Sequence, residues 1–173
     1  MARSPPGWAA ASGIRRSADR FTLILFAHPQ CPCTRASIAE LAIVDARTGK
    51  RIHKIVVFSK PHGTIAEAAA SDLWRQASRI PDTTVLFDAD GSATRAFGAA
   101  VSGHTLLYDP AGRLLFSGGI TVSRGHEGDN TGLIAIERTV LGHPPTNTRT
   151  PVFGCSLHNP APAALARDAS WHR

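Results

Sequence analysis

The most constraining feature is a stretch of about 25 residues near the N-terminal end, read here as strand, turn and helix. Thr22-Leu23-Ile24-Leu25-Phe26 is an unbroken apolar run, the pattern of a strand buried on both faces. It gives way to the polar turn His28-Pro29-Gln30-Cys31-Pro32-Cys33. A helical period follows over 34–46, with Ile38, Leu41 and Ala42 on one face. A strand buried on both faces needs cover on both, which points to an α/β layout.

The rest of the chain extends that pattern. A second apolar strand is predicted at 52–58, after Gly49. Thr64-Ile65-Ala66-Glu67 spells a capping box, in which hydroxyl and carboxylate satisfy free amides reciprocally. The helix it opens carries Ala66, Ala69, Ala70, Leu73 and Ala77 on one side, with Trp74 as packing, and Pro81 closes the connection. A third strand is predicted at 84–87, then a turn at Asp88, Asp90 and Gly91 and a short helix to Phe97. Strands at 105–108 and 114–116 flank Asp109-Pro110-Ala111-Gly112-Arg113, a hairpin signal. A Gly-rich loop covers 117–132 and a last helix 133–141. The order β-α-β-α-β-α-β-β-α combines a right-handed parallel βαβ unit with an antiparallel hairpin. It predicts a three-layer α/β sandwich on a mixed sheet over 21–157. Residues 1–20, with Pro5, Pro6, Gly7 and Gly13, read as a flexible arm, and 158–173 as a frayed tail.

Composition narrows the function. The chain has 173 residues, 43% of them apolar and 18% charged, so it is neither a disordered chain nor a membrane bundle. Its longest strongly apolar run, 22–27, is far short of the ~20 residues that span a bilayer. Net charge is +6, but the basic residues are scattered and carry no nucleic-acid motif, which argues against a nucleic-acid partner. As written, no apolar segment of a secretory signal follows the first residues, and the chain reads as cytoplasmic. Three cysteines, Cys31, Cys33 and Cys155, are too few for a secreted disulfide scaffold.

Cys31 and Cys33 sit where a strand hands over to a helix. Free amides and the dipole at a helix N-terminus stabilise a thiolate there. In this order of elements the chain resembles the thioredoxin superfamily, and the strand and short helix at 84–97 resemble the β-α insert of its peroxiredoxin-like and TlpA-like branches. The stretches 26–37, 119–130 and Pro151-Val152-Phe153-Gly154-Cys155 more closely resemble bacterial RedB-type proteins. The resemblance covers 21–157 and implies redox work. RedB-type proteins commonly sit behind an N-terminal membrane anchor. A preceding segment of that kind would make the chain periplasmic or membrane-anchored, where an oxidising cysteine pair makes more sense. The motif is Cys-Pro-Cys where thioredoxins have Cys-X-X-Cys. Aligning Cys31 with the first thioredoxin cysteine puts Thr34 at the second; aligning Cys33 with the second puts Gln30 at the first. A Cys31–Cys33 disulfide closes a small strained ring, which is easily reduced and so oxidising. The cis-proline of thioredoxins falls here on Gly103 or His104.

In this topology the first strand ends, the 105–108 strand begins and the 114–116 strand returns at one end of the sheet. The Gly-rich loop, with Arg124, His126, Glu127, Asp129 and Asn130, is therefore expected beside the cysteines. After the last helix enough chain remains for Cys155 to return to that end and resolve a disulfide or sulfenic acid. The leading expectation is a thiol–disulfide oxidoreductase with Cys31 attacking and Cys33 or Cys155 resolving. Pro32, Thr34, Gly103, Arg124, His126 and Asp129 support it, His28 lies three residues from Cys31, and His104 is a candidate titrating neighbour. Its partners are protein or low-molecular-weight thiols and disulfides, and the cysteine pair itself is the redox group, without a cofactor. Two alternatives stand beside it. One is a thiol peroxidase, from the Thr three residues after Cys31. The other is a Cu(I)-binding metallochaperone or sensor using Cys31, Cys33 and His28, since close thiolate spacing suits a soft two-coordinate ion.

Overall fold

Helices and strands were traced in a computed structural model, which describes residues 4–59 and 64–157. The tail expected over 158–173 and the first three residues of the arm lie outside these. Among the described residues five strands form the sheet: β1 (Phe21–Ala27), β2 (Ile52–Phe58), β3 (Thr83–Phe87), β4 (Thr105–Tyr108) and β5 (Leu114–Gly118). Their spatial order is β3-β2-β1-β4-β5. β1 and β2 run parallel, from Phe21 opposite Ile52 to Ala27 opposite Phe58, and β3 extends the parallel part. β4 is antiparallel to β1, with Leu25 opposite Thr105, and β5 closes the hairpin. The sheet is mixed, and the end of β1, the start of β4 and the end of β5 share one end of it.

The helices are α1 (Pro32–Thr48), α2 (Ile65–Ala69), α3 (Asp72–Ser78), α4 (Ser92–Ala96) and α5 (Thr131–Val140). The alternation of β1 separates two cores. Leu23, Leu25 and Ala27 pack with Ile38, Leu41 and Val44 of α1, Leu73 and Ala77 of α3, and Leu133, Ile136 and Val140 of α5. Ile24 and Phe26 face the other way, onto Phe97, Leu106, Tyr108 and Leu157. Both faces being buried, β1 shows no polar alternation.

Two expectations change. The helix opened by Thr64 does have its capping box, with Thr64 Oγ1 accepting from Glu67 N and Glu67 Oε2 from Thr64 N. It does not run on to Ala77. Ser71 interrupts it: its hydroxyl donates to Ala68 O and accepts from Trp74 N, capping α3 as a new helix. The reason is that serine offers the backbone a local alternative to the helical ladder. Residues 4–20 do not stand off as an arm either. Trp8 packs edge-on against Phe97 and Tyr108, with ring centroids 5.0 and 5.1 Å away. Trp8 N donates to Gly112 O and Leu114 N to Pro6 O. The five-residue α4 alone leaves part of the second sheet face uncovered, and Trp8, Ala9 and Ile14 complete that layer.

Candidate active site

β1 ends at Ala27, and the chain reverses through residues 28–31, with Cys31 N donating to His28 O at 3.2 Å. Cys31 is the N-cap of α1 and Pro32 its first residue, a position where the missing N–H costs no hydrogen bond. Two fully buried hydroxyls lock this turn to the loop before β4. Thr34 Oγ1 and Ser102 Oγ lie 2.6 Å apart, and each accepts from His28 N at 3.1 Å. The His28 ring is engaged within the turn, its Nδ1 accepting from Gln30 N.

Three free thiols meet here. Cys31 and Cys33 are 1% and 2% exposed, while Cys155 is half-buried. Burial pushes the Cys31 thiol up. The Cys155 thiol and the backbone amides of Thr34, Cys155 and Cys33 more than offset this and bring it down to about 7. Cys33 is pushed up by burial and by the charge and hydrogen bond of Cys31, with the Gly125 amide and Arg124 opposing. Cys155 is pushed up to about 11, first by its hydrogen bond to Cys31, then by burial and the neighbouring thiolate charges, with Arg124 again opposing. The cluster therefore favours one thiolate, on Cys31, flanked by two protonated thiols.

Cys155 comes back on an extended segment laid against the loop before β4. Ser102 N donates to Cys155 O at 2.8 Å and Leu157 N to Ala100 O at 2.9 Å, with Val101 and Ser156 in an antiparallel bridge. Gly154 makes the approach possible, since a Cβ there would stand 1.9 Å from Ser102 O. Arg124 Nη2 donates to Gly154 O at 2.9 Å.

The Gly-rich loop reaches the thiols through Arg124 and Gly125. His126 and Asp129 stay out of the cluster, contrary to expectation. His126 Nδ1 pairs with Arg124 O inside a tight turn, and exposed Asp129 faces Arg47 at 3.9 Å. His126 is held by its own turn, its N donating to Ser123 O, while beyond it Glu40 of α1, 1% exposed, accepts from Gly128 N and Asn130 Nδ2 and ties 128–130 to α1. His104 also departs from its expected place beside the thiols. Its ring bonds Ser117 Oγ at 3.0 Å and Ser4 Oγ at 3.5 Å, and burial pushes its pKa down to about 4, so it carries no charge at neutral pH. Gly103, with φ +89°, takes a left-handed conformation; a Cβ there would meet Ser37 Oγ and Phe153 O. No cis peptide occurs among the described residues. Ser102 and Glu40 belong to no motif of the sequence. Glu40, an acid inside an apolar helical stretch, is the one with a readable signal. Among the described residues no group of three or more His, Cys, Asp or Glu side chains is arranged to hold a metal ion.

A mixed five-stranded sheet with a cysteine turn leading from its central strand into α1 is the thioredoxin-like fold, and solved structures agree. A hypothetical protein from Sinorhizobium meliloti matches with TM-score 0.66 at 22% identity, over 91% of this chain and 97% of that one. An uncharacterized conserved protein from Geobacillus kaustophilus matches with TM-score 0.67 at 17% identity, over 95% and 94%. The exposed lipoprotein thioredoxin of Streptococcus pneumoniae matches with TM-score 0.53 at 18% identity, over 72% and 86%. Compared with protein-family models and with curated proteins, the chain matches none.

Proposed function

We propose that this chain is a thiol–disulfide oxidoreductase in which Cys31 attacks and Cys155 resolves. The observation that carries the reading is the gathering of three cysteines at the N-terminus of α1: Cys31 caps the helix, Cys33 lies in its first turn, and Ser102, bonded to Thr34, holds the Cys155 backbone against the same turn. The Cys31 thiolate attacks a substrate disulfide; one half leaves as a thiolate and the other stays bonded to Cys31. This step removes the Cys31 charge and the hydrogen bond that held Cys155 protonated, so Cys155 becomes more acidic once it is needed. Cys155 then loses its proton to solvent or to the departing thiolate and attacks Cys31. The second half of the substrate leaves, and a Cys31–Cys155 disulfide forms. The substrate gains two electrons and the cysteine pair loses them; a dithiol partner, protein or low-molecular-weight, returns them. The cysteine pair is the redox group, and no cofactor is invoked. The resemblance to RedB-type proteins fits this reading.

Exchange with a fluorescent peptide disulfide tests it. Cys31→Ser is expected to fall to the uncatalysed background. Cys155→Ser is expected to retain the first attack and accumulate the peptide as a mixed disulfide on Cys31. Exchange undiminished in Cys31→Ser overturns the reading. Stoichiometric Cu(I) with no exchange replaces it with metal binding, and peroxide consumption with no exchange replaces it with a peroxidase.

A further inference from the structure

In the oxidised chain an outside thiol has two sulfurs to choose from. Cys31 is 1% exposed, and Cys155, half-buried, is the more open of the two. Cys155 is also firmly presented: its own carbonyl is bonded by Ser102 N, and Leu157, 2% exposed, anchors the next turn of chain in the second core. Exposed Arg124, bonded to Gly154 O, places a positive charge beside it, which favours an incoming thiolate.

We propose that outside thiols attack the oxidised chain at Cys155, so that the partner's mixed disulfide forms on the C-terminal segment and not on the cysteine turn. This rests on the oxidoreductase reading above and adds the point at which the reducing partner engages. In the step, a partner thiolate bonds to Cys155 Sγ, the Cys31–Cys155 bond breaks, and its electron pair departs on Cys31. The partner's second thiol, deprotonated, then attacks the partner sulfur on Cys155. The partner leaves as a disulfide, and Cys155 takes up a proton. Two electrons pass from the dithiol to the cysteine pair. Exchange runs faster when the departing thiol is the more acidic one. Cys31 is that thiol: it stands at the N-terminus of α1, where the amides of Thr34 and Cys33 stabilise its thiolate, whereas Cys155 is pushed up. The competing route is direct: Cys31 itself lines, with Pro29, Gln30, Pro32, Arg35 and Asp72, an open depression of about 310 Å³.

The test uses the full chain, oxidised, with glutathione as the monothiol probe. The reaction is acid-quenched at early times, free thiols are alkylated, and peptides are mapped by mass spectrometry. The expected result is glutathione on Cys155 and alkylation of Cys31, in excess of the reverse adduct by about tenfold or more. Repeating the experiment in Cys33→Ser removes the third thiol that could move the adduct, and the same preference is expected. Glutathione predominantly on Cys31, in either protein, overturns the proposal and directs the partner to the depression. An oxidised chain closed as Cys31–Cys33 also overturns it; exchange at Cys31 then stands, with Cys33 in place of Cys155 as the resolving thiol. No reversible disulfide at any glutathione poise removes that reading itself.

Discussion

At the scale of single residues, the site turns on opposed contributions to one thiol. Burial raises Cys31, and hydrogen bonds from the Cys155 thiol and three amides bring it down to about 7. About half of a thiol with that value is ionised at neutral pH, against a few per cent of an ordinary cysteine. His104 shows burial acting without such compensation. Its pKa is pushed from 6.5 to about 4, so the unfolded chain binds that proton more readily than the folded one. Its stabilising contribution is therefore complete above pH 6.5 and is lost as pH falls toward 4, a loss on the order of 3 kcal/mol. His104→Gln, which keeps a polar atom near Ser117, should flatten this part of the pH dependence. Urea denaturation of both proteins at pH 7 and pH 4.5 checks it; an equal loss in the two would show that His104 is not the group responsible.

At the scale of elements, the site is assembled by pieces that are not neighbours in sequence. The turn before α1 supplies the thiolate, the loop before β4 supplies Ser102, and the C-terminal segment supplies Cys155. The Gly-rich loop supplies Arg124 and is tied down by Glu40 from α1. The weakest tolerance is at Gly154, where an added Cβ would lie 1.9 Å from Ser102 O and 2.7 Å from Ser102 C. Both are backbone atoms, so relief requires the segment to lift. Gly154→Ala is expected to cost about 1–3 kcal/mol and to slow closure of the Cys31–Cys155 disulfide. Thermal unfolding and the rate of disulfide formation in a glutathione buffer read the two effects. An unchanged closure rate would mean that Cys155 does not depend on its seat against Ser102.

At the scale of the whole molecule, the two sheet faces are covered unequally. α1, α3 and α5 pack on one; α4, the N-terminal segment and Leu157 share the other. Trp8 is central to that second layer through its contacts with Phe97 and Tyr108, and its Nε1 donates to Ile14 O at 3.0 Å. Trp8→Ala is expected to destabilise the fold by about 2 kcal/mol, less than for a fully buried tryptophan. Denaturant unfolding checks it, and an effect within about 0.5 kcal/mol, the range of ordinary surface substitutions, would mean that the segment is dispensable.

Much of this protein is determined by sequence alone, because it is local. The apolar runs of β1 and β2, the Thr64–Glu67 capping box, the 109–113 hairpin and the cysteine turn each declare themselves within a few residues. There, propensity, capping and hydrophobic period act directly on the backbone. The order of those elements also brings the Gly-rich loop toward the cysteines. The tertiary structure decided what depends on meeting at a distance. The sequence leaves Cys33 and Cys155 both open as partners of Cys31, and only the folded chain shows how Cys155 is seated, its carbonyl accepting from Ser102 N beside the cysteine turn. The same holds for Trp8 on the second face, Ser102 bonded to Thr34, and Glu40 tying Gly128 and Asn130 to α1. Such contacts arise where packed layers leave uncovered area or an unpaired amide, and local pattern carries no record of either.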